Sequence, residues 1–140
     1  MKKLYVAYGS NLNMMQMGWR CPNAKVVGIG FIRNYQLTFR GVATIIPIEK
    51  VDVPVAVWEI TEECEKALDR YEGYPHLYHK EMIDVEMQDK TLKAMVYIMN
   101  NGIPHMPVRS YFDTIRQGYL DCGLDETYLK EALVDTKNRM

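Results

Sequence analysis

No apolar stretch in this 140-residue chain approaches the ~20 residues that a helix needs to cross a bilayer, so no membrane partner is expected. Neither sign of charge is in excess. Lys and Arg total 17 against 18 Asp and Glu, for a formal net charge of −1, and the charges are scattered rather than run together. A nucleic-acid binder carries a basic patch or stripe, so no such partner is expected. Cysteine is scarce. Cys21, Cys64 and Cys122 are odd in number and far apart, which reads as three free thiols in a reducing compartment. The start, Met1-Lys2-Lys3-Leu4-Tyr5, has two lysines, but Tyr8-Gly9-Ser10-Asn11 cuts it short of the apolar run of a signal peptide, and the expected location is the cytoplasm. A phosphate-binding Walker loop is missing, because Gly9 is followed by no Gly-Lys-Ser/Thr, and no Gly-x-Ser-x-Gly nucleophile elbow occurs. His76 and His79 have a His-x-x-His spacing, yet Pro75 makes that stretch irregular and no further ligands gather near it in sequence. Neither a metal nor another cofactor is expected.

What the chain does have is enough apolar material, 48% of residues, to build a core, in a length that fits one domain over residues 1–140. Residues 3–8 are β-prone and run into Gly9, which reads as an early buried strand. A short helix capped by Asn13 follows. Residues 25–40 read as a bent or broken strand pair with Gly28 and Gly30 as weak points, then a short strand from Val42 to Ile46 ends at Pro47. Residues 53–60 form a further strand. The period then changes. Cys64, Ala67, Leu68 and Tyr71 recur at i, i+3, i+4 and i+7, so 62–71 is a helix, with Thr61 as its cap and Gly73 as its stop. Alternation returns in 81–87 and 92–99, two strands joined by a turn at Gln88-Asp89-Lys90. Pro107 opens a helix over 108–121 with Val108, Tyr111, Phe112, Ile115 and Tyr119 on its inner face, and Asp125 starts a last helix. Strands, a helix, a hairpin and then helices do not make a doubly wound sheet. They imply an α+β domain on a largely antiparallel or mixed sheet that curls toward a barrel.

Two segments look chemical. In Tyr8-Gly9-Ser10-Asn11-Leu12, Gly9 lets the backbone turn closely, and successive N–H groups in such a turn can face one concavity and hold an anion. Read without further context, the same residues also make an ordinary strand-ending turn and helix cap. Glu72 lies in the last turn of its helix, where the macrodipole disfavours an acid, and Leu68 one turn back places it beside the apolar face. Burial and the helix end both raise its pKa, which makes a carboxyl a usable base near neutral pH. A solvated glutamate paired with Arg70 or Lys80 is the bland alternative.

Together, Tyr8-Gly9-Ser10-Asn11-Leu12 after an N-terminal strand, Leu68-Asp69-Arg70-Tyr71-Glu72-Gly73-Tyr74-Pro75 with Tyr78, and the closing stretch Tyr111 to Leu133 resemble the γ-glutamylcyclotransferase-like (AIG2-like) family. The likeness spans nearly the whole chain. It implies a small mixed, largely antiparallel β-barrel with flanking helices. It implies release of 5-oxoproline from a small γ-glutamyl substrate, without a cofactor. It also implies that Glu72 is the general base, that residues 8–12 bind the glutamyl moiety and that Tyr78 and Tyr111 line the pocket. The glutathione-specific branch usually lacks the asparagine that stands at position 11, which points away from a dedicated glutathione enzyme. Two other classes remain open at this level: a binding or regulatory module of the same fold without catalysis, and a different amide-cleaving enzyme. The leaving amine and the oligomeric state are not encoded in any motif.

Overall fold

A computed structural model describes residues 2–140. The chain runs β1 (Lys3–Ala7), a 3-10 turn (Ser10–Leu12), α1 (Met14–Arg20), β2 (Lys25–Arg40), β3 (Val42–Ile60), α2 (Glu62–Glu72), β4 (Tyr78–Glu86), β5 (Thr91–Met99), α3 (Arg109–Cys122) and α4 (Thr127–Arg139). The strands close into a barrel in the order β1-β3-β2-β4-β5. Every pairing is antiparallel except β1 with β5, which meet in parallel at Tyr5 and Met95. This is the mixed, largely antiparallel barrel with flanking helices that the family resemblance implied and toward which the element order pointed. Closure removes open sheet edges.

Local signals explain most boundaries. The Thr61 hydroxyl accepts the Cys64 N–H at 3.2 Å, and Gly73 ends α2 in the left-handed region at φ 67°. The Asn13 side chain accepts the Gln16 N–H at 3.0 Å and caps α1. Leu12, Phe39, Val53, Val57, Leu68, Val96 and Ile115 are fully buried. Six consecutive residues of β3, Val53 to Trp58, are buried, and so are Ala94 to Met99 of β5. Unbroken burial replaces alternation because these segments face the barrel interior on one side and are covered on the other.

Four expectations need correction. Residues 25–40 are one strand, and 42–46 and 53–60 are parts of one 19-residue strand, β3. Proline and glycine read as breaks in sequence, but here bulges absorb the irregularity: the register shifts between Val26 and Gly28, at one expected weak point, and again between Arg33 and Tyr35, where the Asn34 side chain accepts the Lys50 N–H at 3.0 Å. Gly30 serves a close approach instead of a break, since a Cβ there would lie 2.5 Å from the Glu86 carbonyl oxygen of β4. Val108 is 65% exposed and precedes α3, while Tyr111, Phe112, Ile115 and Tyr119 do pack inward. Tyr71 is 42% exposed at the rim of a pocket, and Glu65 is buried on α2 in its place. Glu65 pairs with Lys3 at 2.8 Å and with Lys80 at 2.7 Å.

The cysteines supply the fourth. Cys21 and Cys64 are joined in a disulfide with their Cα atoms 5.0 Å apart. Cys21 caps the end of α1 and Cys64 lies in the first turn of α2, so the bond depends on how these two helices meet, which a separation of 43 residues does not reveal. Cys122 stays a free thiol, and burial pushes its pKa up to about 11.

Candidate active site

The 3-10 turn that follows β1 spends two N–H groups internally, Leu12 on Gly9 and Asn13 on Ser10, both at 3.0 Å. The N–H groups that open such a turn have no partner within it. The turn is held down from two sides. Leu12 is fully buried beneath it, and Gly118 of α3 lies so close that an added Cβ would sit 2.7 Å from the Asn13 nitrogen and the Leu12 carbonyl carbon.

Above the turn lies a narrow pocket with a cavity volume of about 20 Å³. Tyr8, Gly9, Ser10, Asn11, Glu72, Tyr78 and Tyr111 all line it, joined by Tyr5, Val6, Ala43 and Tyr97. Leu12 does not; its side chain anchors the turn from below. The end of β1, the turn, the end of α2, the start of β4 and the first turns of α3 thus converge on one spot.

The walls are rigidly bonded. The Tyr78 hydroxyl donates to the Ala43 carbonyl at 2.5 Å, and the Tyr111 hydroxyl accepts the Ala43 N–H at 3.0 Å, so two tyrosines hold both backbone polar groups of one residue. The Tyr8 hydroxyl donates to the Tyr97 carbonyl at 2.7 Å. The Asn11 amide donates to the Tyr5 hydroxyl at 3.0 Å, and Ser10 Oγ and Tyr71 Oη share a hydrogen bond at 2.7 Å. Burial raises the pKa of Tyr5, Tyr8, Tyr78 and Tyr111, with Glu72 adding to each shift, so all four are neutral hydroxyls at ordinary pH.

Glu72 is half-buried and, among the described residues, has no hydrogen-bond or ion-pair partner. Lys80, the pairing considered from sequence, is engaged by Glu65 and Asp69 instead. Desolvation raises the Glu72 pKa to about 7, and the positive charge of Arg20 opposes that rise. A carboxyl in this state exchanges protons near neutrality.

Sequence reasoning missed Tyr5, Ala43, Tyr71, Tyr97 and Arg20. A tyrosine inside a buried strand needs a partner for its hydroxyl, and that was the available signal for Tyr5. Ala43 and Arg20 carry no local signal, because their roles arise where separate elements meet. Among the described residues no three His, Cys, Asp or Glu side chains are grouped to hold a metal. His79 hydrogen-bonds Asn100 at 2.7 Å and Glu81 at 2.6 Å.

Comparison with known proteins points in one direction. A family model described as gamma-glutamyl cyclotransferase, AIG2-like, matches residues 5–118. Gamma-glutamylcyclotransferase of Bos taurus is 28% identical over 142 residues, covering 91% of this chain and 76% of the bovine protein. The Homo sapiens protein of the same name is 27% identical, covering 89% and 74%. A solved structure titled gamma-glutamyl cyclotransferase superposes with a TM-score of 0.84 at 25% identity, covering 94% of this chain and 86% of that one.

Proposed function

The chain belongs to the gamma-glutamyl cyclotransferase, AIG2-like family, and from that premise we propose that it is a γ-glutamylcyclotransferase, one domain over residues 1–140. The substrate is a γ-glutamyl amine or γ-glutamyl amino acid, and the products are 5-oxoproline and a free amine. The observation that carries this reading is a carboxyl with a pKa raised to about 7 that shares one tyrosine-lined pocket with the Gly9–Asn11 turn.

The substrate brings its own nucleophile. Its α-amine attacks the γ-carbonyl, a five-membered ring closes and the C–N bond to the leaving amine breaks. Well-oriented intramolecular reactions gain ~7–11 kcal/mol from proximity, so the pocket's chief task is to fold the glutamyl chain and hold it. Narrow, bonded walls support that task. The amine arrives as an ammonium and gives up two protons on its way to the lactam nitrogen, one before attack and one as the ring forms; the Glu72 carboxylate accepts the first, returns it to the departing nitrogen and then takes the second, which leaves with the amine as its ammonium. The backbone of residues 9–11 receives the glutamyl carboxylate or the developing oxyanion. The neutral hydroxyls of Tyr78 and Tyr111, both bonded to Ala43, form the wall beside Gly9. No step calls on a metal or redox cofactor.

The reading places the protein in the cytoplasm, and the Cys21–Cys64 bond bears on that placement, because reducing compartments keep thiols apart. Rapid alkylation of cells followed by mass spectrometry decides it: two free thiols fit the cytoplasm, and a bonded pair argues for an oxidising compartment. The test of function is 5-oxoproline release across a panel of γ-glutamyl amines and γ-glutamyl amino acids. Release from at least one supports the reading and identifies the leaving amine. Hydrolysis to free glutamate points to a different amide-cleaving enzyme, and binding without turnover points to a regulatory module.

A further inference from the structure

Arg20, the last residue of α1, stands behind the catalytic turn and touches it without lining the pocket. One guanidinium nitrogen donates to Asn11 Oδ1 at 2.5 Å and the other to Gln16 Oε1 at 2.6 Å. The guanidinium plane covers the Tyr71 ring, with its carbon 3.4 Å from the ring centroid. Three consequences follow. With Oδ1 of Asn11 held by Arg20, the amide nitrogen must face the Tyr5 hydroxyl, which fixes the orientation of Asn11. With its ring pinned, Tyr71 keeps its hydroxyl on Ser10, which ties the turn to the residue before Glu72. And every acceptor Arg20 uses is neutral: among the described residues no carboxylate pairs with it, so its charge is not cancelled locally. The next residue, Cys21, is bonded to Cys64 of α2, so the backbone carrying Arg20 is fastened to the helix that carries Glu72.

Building on the cyclotransferase reading, we propose that Arg20 is a positioning residue for the cyclisation: it locks Asn11 and Tyr71 so that the turn and Glu72 stay in register, and its uncancelled charge holds Glu72 in the carboxylate form. Geometry and charge are separable. A lysine keeps the charge but is not a planar fork that bonds two oxygens while stacked on a ring. A glutamine keeps one donor and loses the charge. The other titratable groups around Glu72 are Tyr5 and Tyr8 from the end of β1, Tyr71 beside it on α2, Tyr78 of β4, Tyr97 of β5 and Tyr111 of α3; β3 contributes only Ala43. Arg20 is therefore the charge able to oppose the desolvation of Glu72, in keeping with its opposing influence there.

The experiment compares wild type, Arg20→Lys and Arg20→Gln, with Lys66→Gln as a control that removes an exposed cation from the neighbouring groove. Turnover is measured across pH, and the Glu72 carboxyl is titrated by carbon NMR in the same proteins. Both Arg20 variants should lose at least ~10-fold in kcat, since misplacement of a catalytic constellation is costly. In Arg20→Gln the Glu72 titration should move to higher pH, whereas in Arg20→Lys and Lys66→Gln it should stay near the wild-type position. Melting curves establish that each variant is folded. A folded Arg20→Gln protein whose Glu72 titrates as in wild type overturns the proposal. A wild type that releases no 5-oxoproline sinks the cyclotransferase reading instead, while the NMR titration still decides whether Arg20 acts on Glu72.

Discussion

Two opposing influences meet on one side chain. Burial drives Glu72 toward its protonated form and Arg20 draws it back, with a result near 7. Its consequence for stability has a definite sign. An acid whose pKa is higher in the folded chain than in the unfolded one binds its proton more tightly when folded. Folding is therefore penalised as pH rises past the unfolded value, and the penalty is complete above the folded one. Glu72→Gln removes that penalty. At pH 8 the variant should be more stable than wild type by up to about 3 kcal/mol, the equivalent of lifting a carboxyl from its ordinary value to about 7. At pH 4 the gain should vanish. Melting curves at the two pH values check it, and equal stability at pH 8 would show that Glu72 is not desolvated. The same ionisation governs rate: kcat/KM of the wild type should climb through about pH 7 as the carboxylate forms.

Among the elements, the turn and α3 depend on each other. Gly118 has no space for a side chain, because the atoms it would meet are turn backbone, not a flexible side-chain tip. Gly118→Ala must push α3 and the turn apart, with an overpacking cost of about 1–3 kcal/mol. Turnover should fall with Glu72 untouched, and a variant with normal stability and normal kcat would contradict the idea that α3 seats the turn. The legibility of the sequence divides along the same line. The helices and the β4–β5 hairpin were readable because Thr61, Asn13, Gly73 and the alternating residues of 81–87 and 92–99 act locally. Glu72 drew notice as an acid at a helix end, but a Gly-Ser-Asn turn after a strand is ordinary in itself, and only the order and spacing of the motifs, through the family resemblance, joined the two into one candidate site. Continuity of β2 and β3 was not readable, since Pro47, Pro54, Gly28 and Gly30 look like breaks until a partner strand shows where the bulges lie. Arg20 and Ala43 were invisible for a related reason: each acts through residues supplied by other elements.

For the whole molecule, a closed barrel supplies the frame and the α1–α2 disulfide ties the helix that carries Arg20 to the helix that carries Glu72. In the chain-entropy picture, a crosslink spanning 43 residues contributes up to about 4 kcal/mol. Cys64→Ala, or reduction, should lower the melting temperature, while 5-oxoproline release persists at low temperature because neither sulfur lines the catalytic pocket. Unchanged melting on reduction would mean the bond adds nothing to the fold. The central claim concerns Glu72, and one measurement meets it most directly: the rate of 5-oxoproline release by Glu72→Gln beside wild type, with melting curves for both. Glu62→Gln is the suitable control, since Glu62 is an exposed acid on the same helix, whereas Glu65 and Asp69 hold Lys80 and the Tyr97 hydroxyl. The glutamine keeps size and hydrogen bonding but accepts no proton, so turnover should fall at least ~10²-fold in a protein that remains folded. A folded Glu72→Gln enzyme with near-normal turnover would contradict the assignment of Glu72 as the base.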